Sequence, residues 1–231
     1  MHALILTVLL AAPAFEAHTY ESMPYRLLVP ENYDRKRSYP LVLWLHGGAG
    51  RGTDNVKQIR GGNELGATVW TRAKTPAFVV APQSPEGTTW TPHLPRVMAL
   101  LQELTRTYNI DRERIYAAGQ SMGGYAVWEL VARYPASFAA AVPLCGGGDV
   151  RNAPKLVSTP LWAFHGAHDR AVPVERSREM IAAIRRAGGK PRYTEYSDVD
   201  HVVWTRAFRE PELLPWVFSQ VNRRASSASR R

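Results

Sequence analysis

The 231-residue chain has one cysteine, Cys145. A lone thiol excludes an internal disulfide and any metal cluster built from several cysteines. Cys145 follows the apolar run Phe138 to Leu144, a setting that fits a small buried residue at a strand end. No apolar run is long enough to cross a membrane. No internal repeat appears, and no Pro/Gly/Ser-rich linker divides the chain. Acidic residues are scarce against basic ones, 20 to 29, which leaves a formal charge of +9. No basic helix and no arginine stripe interleaved with aromatics accompanies that charge, so a nucleic-acid partner is not expected.

Length and a hydrophobic content of 45% fit one globular domain with a sizeable core. Two ends stand apart from it. Residues 1–17 carry the apolar stretch Ala3 to Ala12 and then Ala12-Pro13-Ala14, which fits a small-x-small cleavage site, although no Lys or Arg precedes the stretch. This segment reads as an export leader, which implies a periplasmic or secreted protein. The alternative is an N-terminal strand or helix packed on a cytoplasmic one. Residues 222–231 hold four arginines and no acid and read as a flexible basic tail. The domain is expected over 18–221.

Within it, short unbroken apolar runs alternate with helical periodicity. Leu41 to Leu45, Ala77 to Ala81, Ile115 to Ala118, Phe138 to Leu144 and Leu161 to Phe164 suit strands buried on both faces, with Tyr193 to Tyr196 the last. Val97, Leu100, Leu101, Leu104 and Tyr108 share a helical face. So do Val127, Leu130, Val131 and Tyr134, in a helix that must stop before Pro135. Met180, Ile181 and Ile184 mark a helix closed by Gly188-Gly189, and Pro211 to Val221 a final one. The pattern predicts an α/β fold, a mostly parallel sheet with helices on both faces. Ligands bind such sheets beyond the carboxyl ends of the strands.

Gly119-Gln120-Ser121-Met122-Gly123 lies between the Ile115 strand and the Val127 helix. G-x-S-x-G at a sharp strand-to-helix turn lifts a serine oxygen into the open, as in the α/β-hydrolases. A serine N-cap is the plainer reading of the same residue. A neutral serine needs a base, and in that fold the order is serine, acid, histidine. Of seven histidines, only His165, His168 and His201 follow Ser121. Asp169 ends the turn after the Leu161 strand, and His201 follows the last strand. Asp149, Asp198 and Asp200 are competing acids. His168 reads as a solvent-facing loop residue, and His165 as a buried one that fixes its turn.

Acyl transfer also needs donors for an oxyanion. The N–H of Met122 is one candidate. The other comes from His46-Gly47-Gly48, with Gly48 favoured over Gly47 and His46 holding the loop. Trp90, Gln120 and Trp204 are candidates to touch substrate, the two tryptophans by stacking, although either could equally be packing. Trp44 and Trp162 fall within strands and read as core. No long insertion suggests a lid.

Leu41 to Asn55, Phe78 to Pro85, Ile115 to Trp128, Val142 to Val150 and Leu161 to Val174 together resemble a group of bacterial esterases. This group neighbours the polyhydroxybutyrate-depolymerase and feruloyl-esterase-like hydrolases and is often grouped with the prolyl oligopeptidase family. The resemblance implies Ser121, Asp169 and His201 as nucleophile, acid and base. It also implies action on small or short-acyl carboxylic esters, free or polysaccharide-linked, without metal or cofactor. A small serine peptidase of the prolyl-oligopeptidase type, an acyltransferase, and a non-catalytic binding module on the same scaffold are the competing readings.

Overall fold

The computed structural model describes residues 14–224. Eight strands among them form one sheet in the order β1-β2-β4-β3-β5-β6-β7-β8. They are β1 (Glu16–Tyr20), β2 (Met23–Leu28), β3 (Tyr39–Leu45), β4 (Phe78–Pro82), β5 (Ile110–Gln120), β6 (Ala140–Leu144), β7 (Trp162–Gly166) and β8 (Arg192–Tyr196). From β4 through β8 all neighbours are parallel, whereas β1 and β2 form an antiparallel hairpin added at the β4 edge. Every residue of β3, β4, β6 and β7 is buried. That is why these strands read as unbroken apolar runs: a parallel sheet covered on both faces leaves no side free for polar alternation.

The α-helices are α1 (Glu64–Thr68), α2 (Leu94–Thr107), α3 (Met122–Arg133), α4 (Ala153–Leu156), α5 (Glu175–Arg186), α6 (Trp204–Ala207) and α7 (Leu213–Ser219). They divide between two cores. The first joins Leu41, Leu43 and Leu45 to buried residues of α2, α3, α4 and α5. The second joins Val42, Trp44 and Val142 to Ala67 of α1 and to Trp204, Ala207, Leu213 and Val217 of α6 and α7. Odd and even positions of β3 thus face opposite layers, as the two-residue period of a strand requires. Trp44 and Trp162 are buried as expected. The helix α3 stops at Arg133, before Pro135, and Gly188 takes φ +92° after α5, a conformation that favours glycine.

The hairpin differs from expectation. Strand β1 takes in Glu16 and Ala17, paired with Leu27 and Arg26, so the sheet begins inside the segment assigned to the leader. The rest of that segment, up to residue 13, lies outside the described residues. At the other end Asn222, Arg223 and Arg224, read from the sequence as the start of a flexible tail, lie within the described residues. The backbone N–H of Asn222 donates to the Glu113 carbonyl at 2.8 Å, its side chain to that of Ala136 at 2.7 Å, and Arg224 to Ser158 Oγ at 2.7 Å. Among the described residues no helix is long and apolar enough to cross a membrane.

Candidate active site

Ser121 sits between the end of β5 and the first residue of α3, with φ 54° and ψ −115°. A serine is held there only because the surrounding backbone leaves no alternative. The two glycines of the motif are what allow it. A Cβ on Gly123 would lie 1.9 Å from the Leu45 carbonyl oxygen, and one on Gly119 would lie 2.5 Å from that of Gly123. The turn therefore presses α3 against β3 more closely than any side chain permits. The Ser121 N–H donates to the Leu144 carbonyl at 2.9 Å, which ties the turn to β6.

Two further turns at the same edge of the sheet deliver the partners. His201 follows β8, and its Nε2 lies 2.9 Å from Ser121 Oγ. Its Nδ1 lies 2.7 Å from Asp169 Oδ2. Since a carboxylate only accepts, Nδ1 carries the ring proton and Nε2 is free to accept from the serine hydroxyl. Asp169 follows β7. Its side chain is wholly buried, and its Oδ1 accepts from the backbone N–H groups of Ala171 at 2.9 Å and Val172 at 2.8 Å. Two backbone donors besides His201 thus fix the carboxylate in place. The three residues singled out in the sequence thus meet in one hydrogen-bonded chain.

The competing acids are occupied elsewhere. Asp149 is exposed and forks onto Arg151, which holds its carboxyl below the usual range. Asp198 pairs with Arg206, and Asp200 accepts from the Val202 N–H. His168 is exposed and His165 wholly buried.

On the other side of Ser121 lies the loop after β3, a one-turn 3-10 helix over Gly48–Gly50. His46 holds it: Nδ1 donates to the Gly47 carbonyl at 2.6 Å, and Nε2 accepts the Ser84 N–H at 3.0 Å. That acceptor role requires an unprotonated Nε2, and burial lowers the pKa of His46 to about 4. The Gly47 N–H donates to Asn63 Oδ1 at 3.0 Å, so it is spent. Gly48 and Met122 each open a helix, where the first N–H groups have no carbonyl of their own turn to meet. The two N–H groups put forward from the sequence thus both stand at helix starts.

Of the expected substrate contacts, Trp90 alone lines the cleft beside Ser121, and only partly as expected. A cleft of about 630 Å³ beside Ser121 is lined by Trp90, Met122, Tyr125, Trp128, Gly148 and Met180, with Glu129, Asp149 and Asn152 among its polar groups. Trp90 is almost fully buried, and its indole N–H donates to the His46 carbonyl at 3.0 Å. Gln120 does not face this cleft. Its amide donates to the Gly62 carbonyl at 3.0 Å and lies 3.2 Å from Asn63 Oδ1, because the last strand residue points away from the side its neighbour Ser121 serves. Trp204 is buried and meets the His201 ring edge-on, with centroids 5.7 Å apart; it supports the imidazole rather than lining the cleft. Asn63, which joins the loop over Gly48 to Gln120, gave no sign in the sequence.

Cys145, Asp169 and His201 present ligand-type atoms within 4.8 Å of one another. The Asp169 and His201 atoms already bond each other, and burial pushes the Cys145 thiol up and so keeps its proton. The donor set suits a proton-relay site with a buried thiol better than a metal cage.

Comparison with known proteins follows the same line. The sequence profile of the Esterase family matches residues 17–201. A solved structure described as that of a thermostable esterase is 38% identical, with a TM-score of 0.86 over 90% of this chain and 63% of that one. A bifunctional acetylxylan esterase/xylanase of Neocallimastix patriciarum is 32% identical over 154 residues, which are 63% of this chain and 22% of the relative. The chain therefore spans less than two thirds of either. A feruloyl esterase module of Clostridium thermocellum, complexed with sinapinate, shares the fold at 16% identity and a TM-score of 0.70, over 90% of this chain and 88% of that one.

Proposed function

This chain belongs to the Esterase family, and from that premise we propose that it is a serine hydrolase of carboxylic esters, with Ser121 as nucleophile, His201 as base and Asp169 as acid. The observation that carries the reading is the continuous chain from Ser121 Oγ to His201 Nε2 at 2.9 Å and from His201 Nδ1 to Asp169 Oδ2 at 2.7 Å. His201 takes the hydroxyl proton as Oγ attacks the ester carbonyl, and Asp169 stabilises the imidazolium that forms. The carbonyl oxygen, now negative, is met by the N–H groups of Gly48 and Met122. The tetrahedral intermediate collapses, His201 returns the proton to the departing alcohol, and the acyl group stays on Oγ. A water deprotonated by His201 then attacks the acyl-enzyme, and the carboxylic acid leaves as Oγ regains its proton.

The substrates are small or short-acyl esters, acetyl and feruloyl among them, free or carried on a polysaccharide. Two things support this: the acetylxylan esterase likeness, and an open cleft of about 630 Å³ with apolar walls and polar groups at Glu129, Asp149 and Asn152. The reading includes export of the chain, on the apolar stretch Ala3 to Ala12, which lies outside the described residues.

A panel of p-nitrophenyl esters from acetate to palmitate, with ferulate, tests the proposal. Turnover that peaks at short acyl chains or at ferulate is expected. Turnover of none of them, or an optimum at palmitate, contradicts it.

A further inference from the structure

Asp169 Oδ2 has a second neighbour besides His201. His165 Nε2 lies 3.2 Å from it. His165 occupies β7, four residues before Asp169, and is wholly buried. Its Nε2 meets acceptors alone: Asp169 Oδ2 and, at 3.0 Å, the Val172 carbonyl. A ring nitrogen between two acceptors must carry a proton. Its Nδ1 lies 2.8 Å from Ser177 Oγ, whose hydroxyl also reaches the Gly146 carbonyl at 2.9 Å. Burial, as the largest cause, lowers the pKa of His165. The neutral ring with its proton on Nε2 meets all these partners, with the Ser177 hydroxyl serving Nδ1 or Gly146 in turn.

We propose, on the serine-esterase reading above, that His165 is a positioning residue: its Nε2–H shares Asp169 Oδ2 with His201 and so limits how strongly Asp169 draws the proton of His201. The carboxylate does not depend on His165 for its place, since Oδ1 is clamped by the N–H groups of Ala171 and Val172. What His165 sets is the share of negative charge that Oδ2 offers to His201. A hydrogen bond to a charged acceptor is among the stronger ones, and low local dielectric sharpens it.

Among the other titratable groups around His165, Glu195, Cys145 and Tyr125 hold fixed charge near neutrality. Glu195 pairs with it in register on β8 and is kept ionised by Arg178 of α5 and by Tyr193. Cys145 after β6 and Tyr125 of α3 are both pushed up by burial and stay protonated. His168, on the same loop as Asp169, is exposed and sits near Asp198.

Two variants separate the contacts of the ring. In His165→Asn the amide reaches only the Nδ1 position, keeping Ser177 and losing Asp169. In His165→Gln it reaches the Nε2 position, keeping Asp169 and losing Ser177. The acidic limb of kcat/KM against pH for p-nitrophenyl acetate is expected to move up by on the order of half a unit in His165→Asn and to return to its wild-type place in His165→Gln. An unmoved limb in His165→Asn, or the same movement in both, overturns the proposal; a merely structural role lowers the rate in both without moving either limb. The 15N spectrum of histidine-labelled wild-type chain needs no variant and no turnover. It must show His165 protonated at Nε2 at neutral pH, and a bare Nε2 overturns the proposal. Absence of turnover in the wild type contradicts the esterase reading instead. The titration of His201 by the same spectra, in wild type and His165→Asn, then decides the coupling alone.

Discussion

His46 makes the stability of this fold depend on pH in a way that can be isolated. Its ring is completely buried under the loop that carries Gly48, with Nε2 accepting from the Ser84 N–H. Burial lowers its pKa from 6.5 to about 4. The folded state therefore refuses a proton that the unfolded chain accepts below pH 6.5. Stability from this group is complete above pH 6.5, falls as the pH drops toward 4, and levels off below. A separation of roughly 2.5 units, at about 1.4 kcal/mol each, amounts to on the order of 3 kcal/mol across that window. Urea titrations of wild type and His46→Gln at pH 7, 6, 5 and 4.5 check it. The glutamine variant starts lower at pH 7, because it fits the two contacts less well. Its stability then declines less steeply, by up to about 1.4 kcal/mol per pH unit. The buried His165 and the half-buried His93, both also lowered chiefly by burial, act equally in both proteins and cancel in the difference. Parallel curves for the two proteins would refute the reasoning.

Asn63→Ala removes the acceptor of the Gly47 N–H, a contact with Gln120 and a bond to the Lys57 carbonyl at 3.2 Å. At about 1 kcal/mol each the loss is about 3 kcal/mol, a fall of roughly 6–12 °C in Tm by calorimetry, with kcat reduced more than KM. Gly123→Ala sets a Cβ 1.9 Å from the Leu45 carbonyl oxygen, so circular dichroism should show no cooperative native transition. Asp169→Asn faces the His201 Nδ1–H with an N–H in place of an oxygen, or forces the wrong tautomer; kcat for p-nitrophenyl acetate is expected to drop about 10⁴-fold with the fold intact.

The parallel strands were legible because burial on both faces leaves a run such as Leu41 to Leu45 with no polar residue to interrupt it. The hairpin at the other edge was not. Glu16–Tyr20 is mostly exposed or half-buried, and nothing in its composition distinguishes it from a loop. Ser121, Asp169 and His201 were legible for a topological reason: each follows a strand whose carboxyl end points at the same crevice. Gln120 and Trp204 were misread because closeness in sequence to Ser121 and His201 says nothing of side-chain direction. Gln120 turns under the Gly47 loop, and Trp204 turns into the core behind His201. Asn63 could not be found, since its partnership with Gly47 spans 16 residues of chain and obeys no local period. His165 was read as a residue that fixes its turn; its contact with Asp169 appears only once the chain from Asp169 to Val172 folds back over the ring.

The central claim is that Ser121 is the nucleophile of an ester hydrolase, and p-nitrophenyl acetate hydrolysis by wild type and Ser121→Ala, side by side, tests it most directly. The account predicts turnover by the wild type and a loss of about a thousandfold or more in the variant, with the fold unchanged. Comparable rates in both, or turnover in neither, would contradict it.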